Sequence, residues 1–84
     1  MVAGTTTVRD SEVGSNSGYI GGGGAALYGT SSTLISESTD WGSGDTDNTP
    51  DDVGILDDDG ELVQSYTFDG VASFTCDGDE RTCE

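Results

Sequence analysis

The most regular hydrophobic pattern lies in the last third of the chain. The runs 62–68 and 71–76 carry apolar residues on both faces, and an Asp-Gly pair at 69–70 separates them. Short runs rich in β-branched and aromatic residues and bounded by turn residues are typical of β-strands. Asp-Gly provides the positive φ angles of a two-residue type I′ turn. The pattern therefore predicts a β-hairpin formed by the two runs.

A third apolar run precedes this hairpin. It covers 53–56 and is followed by an Asp-rich turn at 57–60 that ends in glycine. The three runs together predict an antiparallel β-meander over 53–84. A sheet of three short strands is marginally stable alone. We therefore expect a covering layer, supplied by the N-terminal half of the chain or by a neighbouring protein.

The N-terminal half is rich in Gly, Ser and Thr, with no apolar periodicity of 3.6 residues and no evident internal repeat. Its β-branched run at 5–9 predicts a short strand. The four glycines at 21–24 lack the Gly-Lys-Ser/Thr ending of a phosphate loop, so we interpret them as flexible or closely packed backbone. We predict an all-β, sandwich-like small domain, with an extended N-terminal arm (1–36), an acidic polar loop (37–52) and the antiparallel meander.

Charge narrows the range of partners. The 84 residues carry 17 carboxylates against two arginines, which gives a formal net charge of −15. Affinity for phosphate requires Lys and Arg, so we expect no binding to nucleic acid or to anionic membranes. The Debye length falls from about 8 Å in physiological salt to about 3 Å at 1 M, so such a surface suits a halophile. Strong acidity with few aliphatic residues is also typical of disorder, which the regular strand pattern opposes.

The beginning of the chain lacks the charged head and apolar stretch of a secretory signal. No run approaches the roughly 20 apolar residues that a membrane-spanning helix needs. We therefore expect a cytosolic translation product or a mature form with an added Met.

Two cysteines, Cys76 and Cys83, are separated by six residues that include an Asp-Gly turn. Three interpretations remain open for them: a disulfide, two free thiols, or pairing through a metal or another molecule. A disulfide closing so short a loop would add about 2–3 kcal/mol of stability on the chain-entropy model. It would also place the finished protein outside the reducing cytosol.

Two clusters of carboxylates raise the possibility of bound calcium, because hard oxygen ligands at alternating positions suit that ion. The candidate ligands are Asp45, Asp47, Asp51, Asp57 and Asp59. Neither cluster matches the calcium loop of an EF-hand. Solvated acidic turns are the alternative interpretation, and we expect no other cofactor.

Catalysis is not expected from this composition. Histidine is absent, which removes the usual proton shuttle at neutral pH. No Ser or Cys has an evident partner base. A paired-carboxylate hydrolase would need a cleft that a chain of this size is too small to line. We predict a protein that is not an enzyme.

A short, acidic chain without a signal or catalytic residues resembles the minor capsid, decoration or tail proteins of tailed viruses that infect haloarchaea. The resemblance concerns the character of the whole chain and rests on no motif. It implies a structural subunit of the virion, assembled in the host cytoplasm, that binds other protein subunits by strand addition and packing. The candidate contact residues are Thr5, Thr7, Val8, Tyr19 and Trp41. Trp41 is equally explained as a local core residue.

Two other functions are compatible with the sequence. One is an extracellular or cell-surface binding module stabilised by calcium or by a disulfide. The other is an acidic adaptor that mimics nucleic acid. The latter would need carboxylates spaced like phosphates on a folded face, whereas here they fall mostly in predicted turns.

Overall fold

The computed structural model of the chain describes residues 4–28 and 32–84, which form two mixed β-sheets and confirm the all-β prediction. Sheet I has the strand order β1-β3-β6-β7, and sheet II has the order β2-β4-β5. A single 3₁₀ turn, Gly44–Thr46, lies between β3 and β4 in this part of the chain. The strands are β1 (Thr5–Arg9), β2 (Ala25–Tyr28), β3 (Thr33–Asp40), β4 (Val53–Leu56), β5 (Leu62–Tyr66), β6 (Val71–Asp77) and β7 (Thr82–Cys83).

The part of the chain that ends with β4 winds as two stacked coils that run in parallel. Coil 1 (residues 4–28) contributes β1 to sheet I and β2 to sheet II, and coil 2 (residues 32–56) contributes β3 and β4 in the same way. Thr5 pairs with Thr33 and Ala25 with Val53, so the two parallel pairs share one sequence offset between the coils. The molecule thus contains a structural repeat that the sequence does not reveal.

The coils differ where they cross between the sheets. Glu12 bridges Asp40 at the same offset as the paired strands, whereas Ser17 bridges Thr49 at a larger one. Between the two bridges, coil 2 (40–49) is therefore longer than coil 1 (12–17), and this longer segment holds the 3₁₀ turn. Coil 1 is longer after the second bridge, where the chain forms a glycine-rich loop over 18–24. The common offset is restored where β2 begins.

A return segment (residues 62–77) runs back along the other side of coil 2. Its strand β5 pairs antiparallel with β4, and its strand β6 pairs antiparallel with β3. Coil 2 is therefore the middle layer, with coil 1 on one side and the return segment on the other. The short strand β7 completes sheet I beyond β6.

The core lies between the two sheets and draws on both. Leu34, Phe74 and Cys76 face inward from sheet I, and Leu27 and Ile55 face inward from sheet II. Trp41, just after β3, is 1% exposed and packs against Phe74 with ring centroids 5.5 Å apart. Because residues from both halves of the chain form this core, the N-terminal half is part of the domain.

The predicted hairpin and meander are wrong in their pairing. The hairpin between β4 and β5 forms through the Asp-rich turn as expected, but β5 and β6 belong to different sheets. The Asp-Gly pair at 69–70 lies where the chain crosses from sheet II to sheet I. The crossing places the Phe68 ring on Phe74, with centroids 4.0 Å apart. Burial of these aromatic rings stabilises the crossing over a local turn.

The predicted boundaries of the arm and the acidic loop also need correction. Strand β3 continues to Asp40, so it takes in the first part of the predicted loop. The predicted arm contributes β1, β2 and the first half of β3 to the two sheets. Part of its short link at 29–32 lies outside the described residues.

The glycine run is closely packed. A Cβ atom at Gly23 would overlap the carbonyl oxygen of Thr49, which belongs to the backbone of coil 2. Gly22 has a φ of +68°, a conformation that L-residues rarely adopt. Of the two interpretations offered by the sequence, close packing is the one the structure supports.

Candidate functional site

Strands β1 and β2 end their sheets on the same side of the molecule, and among the described residues each pairs with one other strand. The carbonyl of Gly4 accepts from Thr33 and the amide of Asp10 donates to Glu37. Since alternate residues of a parallel strand face the same neighbour, Thr5, Thr7 and Arg9 direct their backbone groups away from β3.

The same alternation holds in sheet II. The amide of Ala25 donates to Asp52 at 2.9 Å, so Ala26 and Tyr28 direct their backbone groups away from β4. We call the resulting surface the outer edge. It consists of the outward backbone groups of Thr5, Thr7, Arg9, Ala26 and Tyr28. The carbonyls of Arg9 and Tyr28 also accept from Ser11 Oγ at 2.8 Å and from Ser32 Oγ at 2.7 Å.

The predicted contact residues divide between this edge and the interior. Thr5 and Thr7 are exposed on the outer edge. Val8 does not belong to it, because its backbone faces β3 and its half-buried side chain packs against the core. Trp41 is buried, and its indole N–H donates to Ser36 Oγ at 2.9 Å. The structure therefore makes Trp41 a core residue.

Tyr19 lies in the glycine-rich loop of coil 1 and is 100% exposed, and its neighbour Ile20 is 52% exposed. The loop backbone is held at both ends, since Gly18 donates to the Thr49 carbonyl and Gly23 to the Asp51 carbonyl. A loop anchored in this way presents an apolar pair to solvent. Its next residues, Gly21 and Gly22, lie close to Gly54 of β4, and Gly21 also lies close to Leu62 of β5.

Charge is distributed very unevenly between coil 1 and the rest of the molecule. Residues 4–28 hold one arginine and two carboxylates, whereas residues 32–84 hold fifteen carboxylates and one arginine. The net charges are −1 and −14. Arg9 also forms an ion pair with Glu37 at 2.9 Å across the two coils. The outer edge is therefore the nearly neutral end of an otherwise strongly acidic protein.

Edge strands in soluble proteins are usually protected against further pairing by lysine, proline or bulges. Strands β1 and β2 contain neither lysine nor proline, and their registers with β3 and β4 are unbroken. Arg9 is the one charged residue within them. Such an edge can accept a further strand.

A buried polar cluster, missed by the sequence analysis, holds coil 1 on coil 2. Asn48 is 1% exposed, and its amide nitrogen lies 2.8–2.9 Å from the carbonyls of Val13 and Trp41 and from Asp52 Oδ1. Its oxygen accepts from the backbone and side chain of Asn16. A single side chain therefore connects both coils. The sequence signal for this role of Asn48 was its amide side chain, which can both donate and accept hydrogen bonds, among acidic neighbours.

Asp52 completes this cluster and is fully buried. Its Oδ2 accepts from the amide of Phe68 at 2.6 Å, which adds the return segment to the connection. Burial raises the pKa of Asp52, and the hydrogen bonds from Phe68 and Asn48 oppose that rise only in part. The folded protein therefore binds this proton more tightly than the unfolded chain does.

The raised pKa predicts a pH dependence of stability. The contribution of Asp52 to the free energy of unfolding is fully present below its ordinary pKa and is lost as the pH rises through the higher pKa of the folded state. Stability should therefore increase as the pH falls from neutral. We would follow the Asp52 carboxyl carbon by NMR and measure urea unfolding at the same pH values. A titration midpoint at or below the usual range near 3.9 would contradict the prediction.

The candidate calcium ligands do not converge on a common centre. No group of three or more Asp, Glu, Cys or His side chains suited to a metal ion occurs within residues 4–28 and 32–84. The carboxylate of Asp51 accepts from the amide of Gly22, and that of Asp57 accepts from the amides of Asp59 and Glu61. Asp45 lies in the 3₁₀ turn, and Asp47 accepts from the amide of Asn48. The contacts of Asp57 and Asp47 are those of acidic turns, whereas Asp51 is buried and its contact with Gly22 joins coil 2 to coil 1.

Cys76 and Cys83 are joined by a disulfide between directly opposed residues of β6 and β7. Cys76 is fully buried in the core, and Thr75 and Glu84 exchange two backbone hydrogen bonds beside it. Strand β7 is a two-residue strand, so its attachment depends strongly on the covalent bond.

Loss of the disulfide should lower the free energy of unfolding by about 2–3 kcal/mol, because the reduced chain regains the entropy of the open loop. We would compare urea unfolding of the native chain with and without reductant. The variant Cys76→Ala/Cys83→Ala is the control, since reductant should leave its transition unchanged. Equal midpoints for the oxidised and reduced native chain would contradict the prediction.

Comparisons with known proteins found no matching family model, no matching curated protein and no matching solved structure. The described part of the chain contains no helix that is long and apolar enough to cross a membrane.

Proposed function

We propose that the protein is a non-enzymatic structural subunit that binds neighbouring subunits by strand addition at its outer edge. The observation that carries this proposal is the presence of two unprotected edge strands, one from each sheet, on the nearly neutral part of the molecule. A partner strand laid along β1 would bond to the outward groups of Thr5, Thr7 and Arg9. Backbone hydrogen bonds of this kind provide affinity with little demand on side chains.

The charge distribution supports the same proposal. At low ionic strength the carboxylates of adjacent subunits repel one another, and this repulsion is screened when the Debye length falls to about 3 Å in 1 M salt. Contact through coil 1 keeps most of the carboxylates away from the interface. We extend the proposal to a halophilic setting and to the virion of a haloarchaeal virus, whose structural proteins share this acidic character.

The proposal is tested by Thr7→Pro, which removes an outward amide from β1 without removing a bond to β3. The association constant in about 1 M salt should fall about tenfold, as expected for the loss of one or two hydrogen bonds. Sedimentation equilibrium measures it, and circular dichroism verifies the fold. Thr7→Ser keeps the amide and serves as the matched control. Equal association of the proline variant and the native chain would contradict strand addition at β1.

The second candidate function is an extracellular binding module, favoured by the disulfide, since such bonds persist in oxidising compartments. The exposed pair Tyr19 and Ile20 would then contact the ligand. A native chain that stays monomeric in about 1 M salt, and whose stability depends on the disulfide, would favour this function over the assembly subunit.

A further inference from the structure

We propose that the partner at the outer edge is a second copy of this chain, related by a twofold axis perpendicular to the two sheets. This inference rests on the proposed function and identifies its partner. In the dimer, β1 pairs antiparallel with β1 of the second copy, and β2 pairs antiparallel with β2 of the second copy. Both sheets then continue across the interface.

The first argument is geometric. Both edge strands belong to coil 1, so they lie on one side of the molecule, in two packed sheets about 10 Å apart. A single added strand would complete one sheet and leave the other edge unpaired. A second copy presents two edges with the same separation and the same strand lengths. It therefore satisfies both edges in one contact, as an isologous interface requires.

The second argument is electrostatic. The twofold arrangement brings together two coils of net charge −1 each and leaves the two regions of charge −14 on opposite sides of the dimer. Head-to-tail stacking would instead place coil 1 of one copy against the return segment and β7 of the next. Residues 57–84 of that end carry nine carboxylates and one arginine. Repulsion between carboxylates therefore disfavours head-to-tail stacking relative to the twofold arrangement.

The third argument concerns the register of β1. An axis at its central residue, Thr7, places Thr7 opposite Thr7 of the second copy and Arg9 opposite Thr5. The two arginines are then not directly opposed, which avoids the destabilising pairing of like charges. The exposed side chains of Thr5, Thr7 and Arg9 lie on the solvent face of sheet I, so pairing of β1 with its copy does not bring them into the core.

The test is self-crosslinking of Thr7→Cys with the native disulfide intact. Thr7 and Thr7 of the second copy would form a hydrogen-bonded antiparallel pair with Cβ atoms about 5.5 Å apart, about 1 Å more than in a disulfide, so a small movement of the two edges allows the bond to form. Under mild oxidation the variant should form covalent dimers about tenfold faster than Ser65→Cys does, because its thiols are held at a high effective concentration. Ser65 is also exposed but lies on β5, across the molecule from the outer edge.

The outcomes separate this inference from the proposed function. Equal rates for the two cysteine variants, with association of the native chain that Thr7→Pro still weakens, would overturn the twofold pairing and leave strand addition in place. Equal rates together with a monomeric native chain would overturn both. Because Thr7 is exposed, the cysteine variant should retain the circular dichroism spectrum and intact mass of a folded, internally oxidised chain.

Discussion

Asn48→Asp should lower the free energy of unfolding by about 4 kcal/mol or more at pH 7, because an uncompensated charge in a buried site typically costs about 3–5 kcal/mol. One oxygen of the new carboxylate would keep the two hydrogen bonds from Asn16. The other would replace the amide nitrogen and lie among three oxygens, the carbonyls of Val13 and Trp41 and the carboxylate of Asp52, with no donor toward them. Total unfolding free energies of small domains are only about 5–15 kcal/mol. We expect a largely unfolded chain by circular dichroism and by urea unfolding.

The same variant should recover part of its structure as the pH falls. Two adjacent carboxyl groups share one proton in preference to ionising together, so protonation restores a donor between them. The matched control is Gln64→Glu, which makes the same amide-to-carboxylate change at an exposed position of β5, outside the cluster. It should cost less than about 1 kcal/mol, as surface changes generally do. A folded Asn48→Asp chain at pH 7 would show that the cluster does not hold the coils together.

Trp41→Ala should cost about 3–5 kcal/mol, the usual result of removing a fully buried large aromatic side chain. The indole packs on Phe74, and its ring lies close enough to Gly24 that a Cβ there would be 3.0 Å away. The substitution leaves a cavity where β3 ends and coil 1 crosses between the sheets.

The conservative variant Trp41→Phe separates packing from hydrogen bonding. It keeps an aromatic ring near Phe74 but loses the bond to Ser36 Oγ, so we expect a smaller loss of stability than for alanine. Urea unfolding followed by circular dichroism measures all three chains. If alanine at position 41 left stability unchanged but weakened association, Trp41 would act in binding and its assignment to the core would be wrong.

Features encoded by neighbouring residues were predictable from the sequence. The β-branched run at 5–9 forms β1, and the Asp-rich turn joins β4 to β5 as expected. In that turn the amide of Asp57 donates to the carbonyl of Glu61, and Gly60 adopts a φ of +82°. The candidate pair Cys76 and Cys83 was also visible, because a short loop separates the two residues.

Features that depend on distant residues were not predictable in this way. The parallel pairs join Thr5 to Thr33 and Ala25 to Val53, and no local pattern specifies such an offset. Two strand-like runs at 62–68 and 71–76 around an Asp-Gly pair fit a hairpin as well as they fit two strands in separate sheets. The decisive interaction is the packing of aromatic rings from three separate parts of the chain, with Trp41 and Phe68 both on Phe74.

The outer edge could be anticipated only in part. Its β1 component follows from the sequence, and Thr5 and Thr7 were identified as contact residues. The involvement of β2 depends on the coil, which places both edges on one side. The direction of each backbone group depends on the register with β3, which excludes Val8. The burial of Asn48 was not predictable, because this residue lies in a segment whose composition indicates a polar loop.

The common offset between the coils has a consequence for the kinetics of folding. Strand β1 pairs with β3, which lies beyond the whole of β2 in the sequence, and the β3–β6 ladder joins residues as distant as Thr33 and Asp77. Proteins dominated by such long-range pairings have high contact order and fold on millisecond to second timescales. During synthesis, coil 1 leaves the ribosome before coil 2 exists, so its strands must wait for their first partner to be translated.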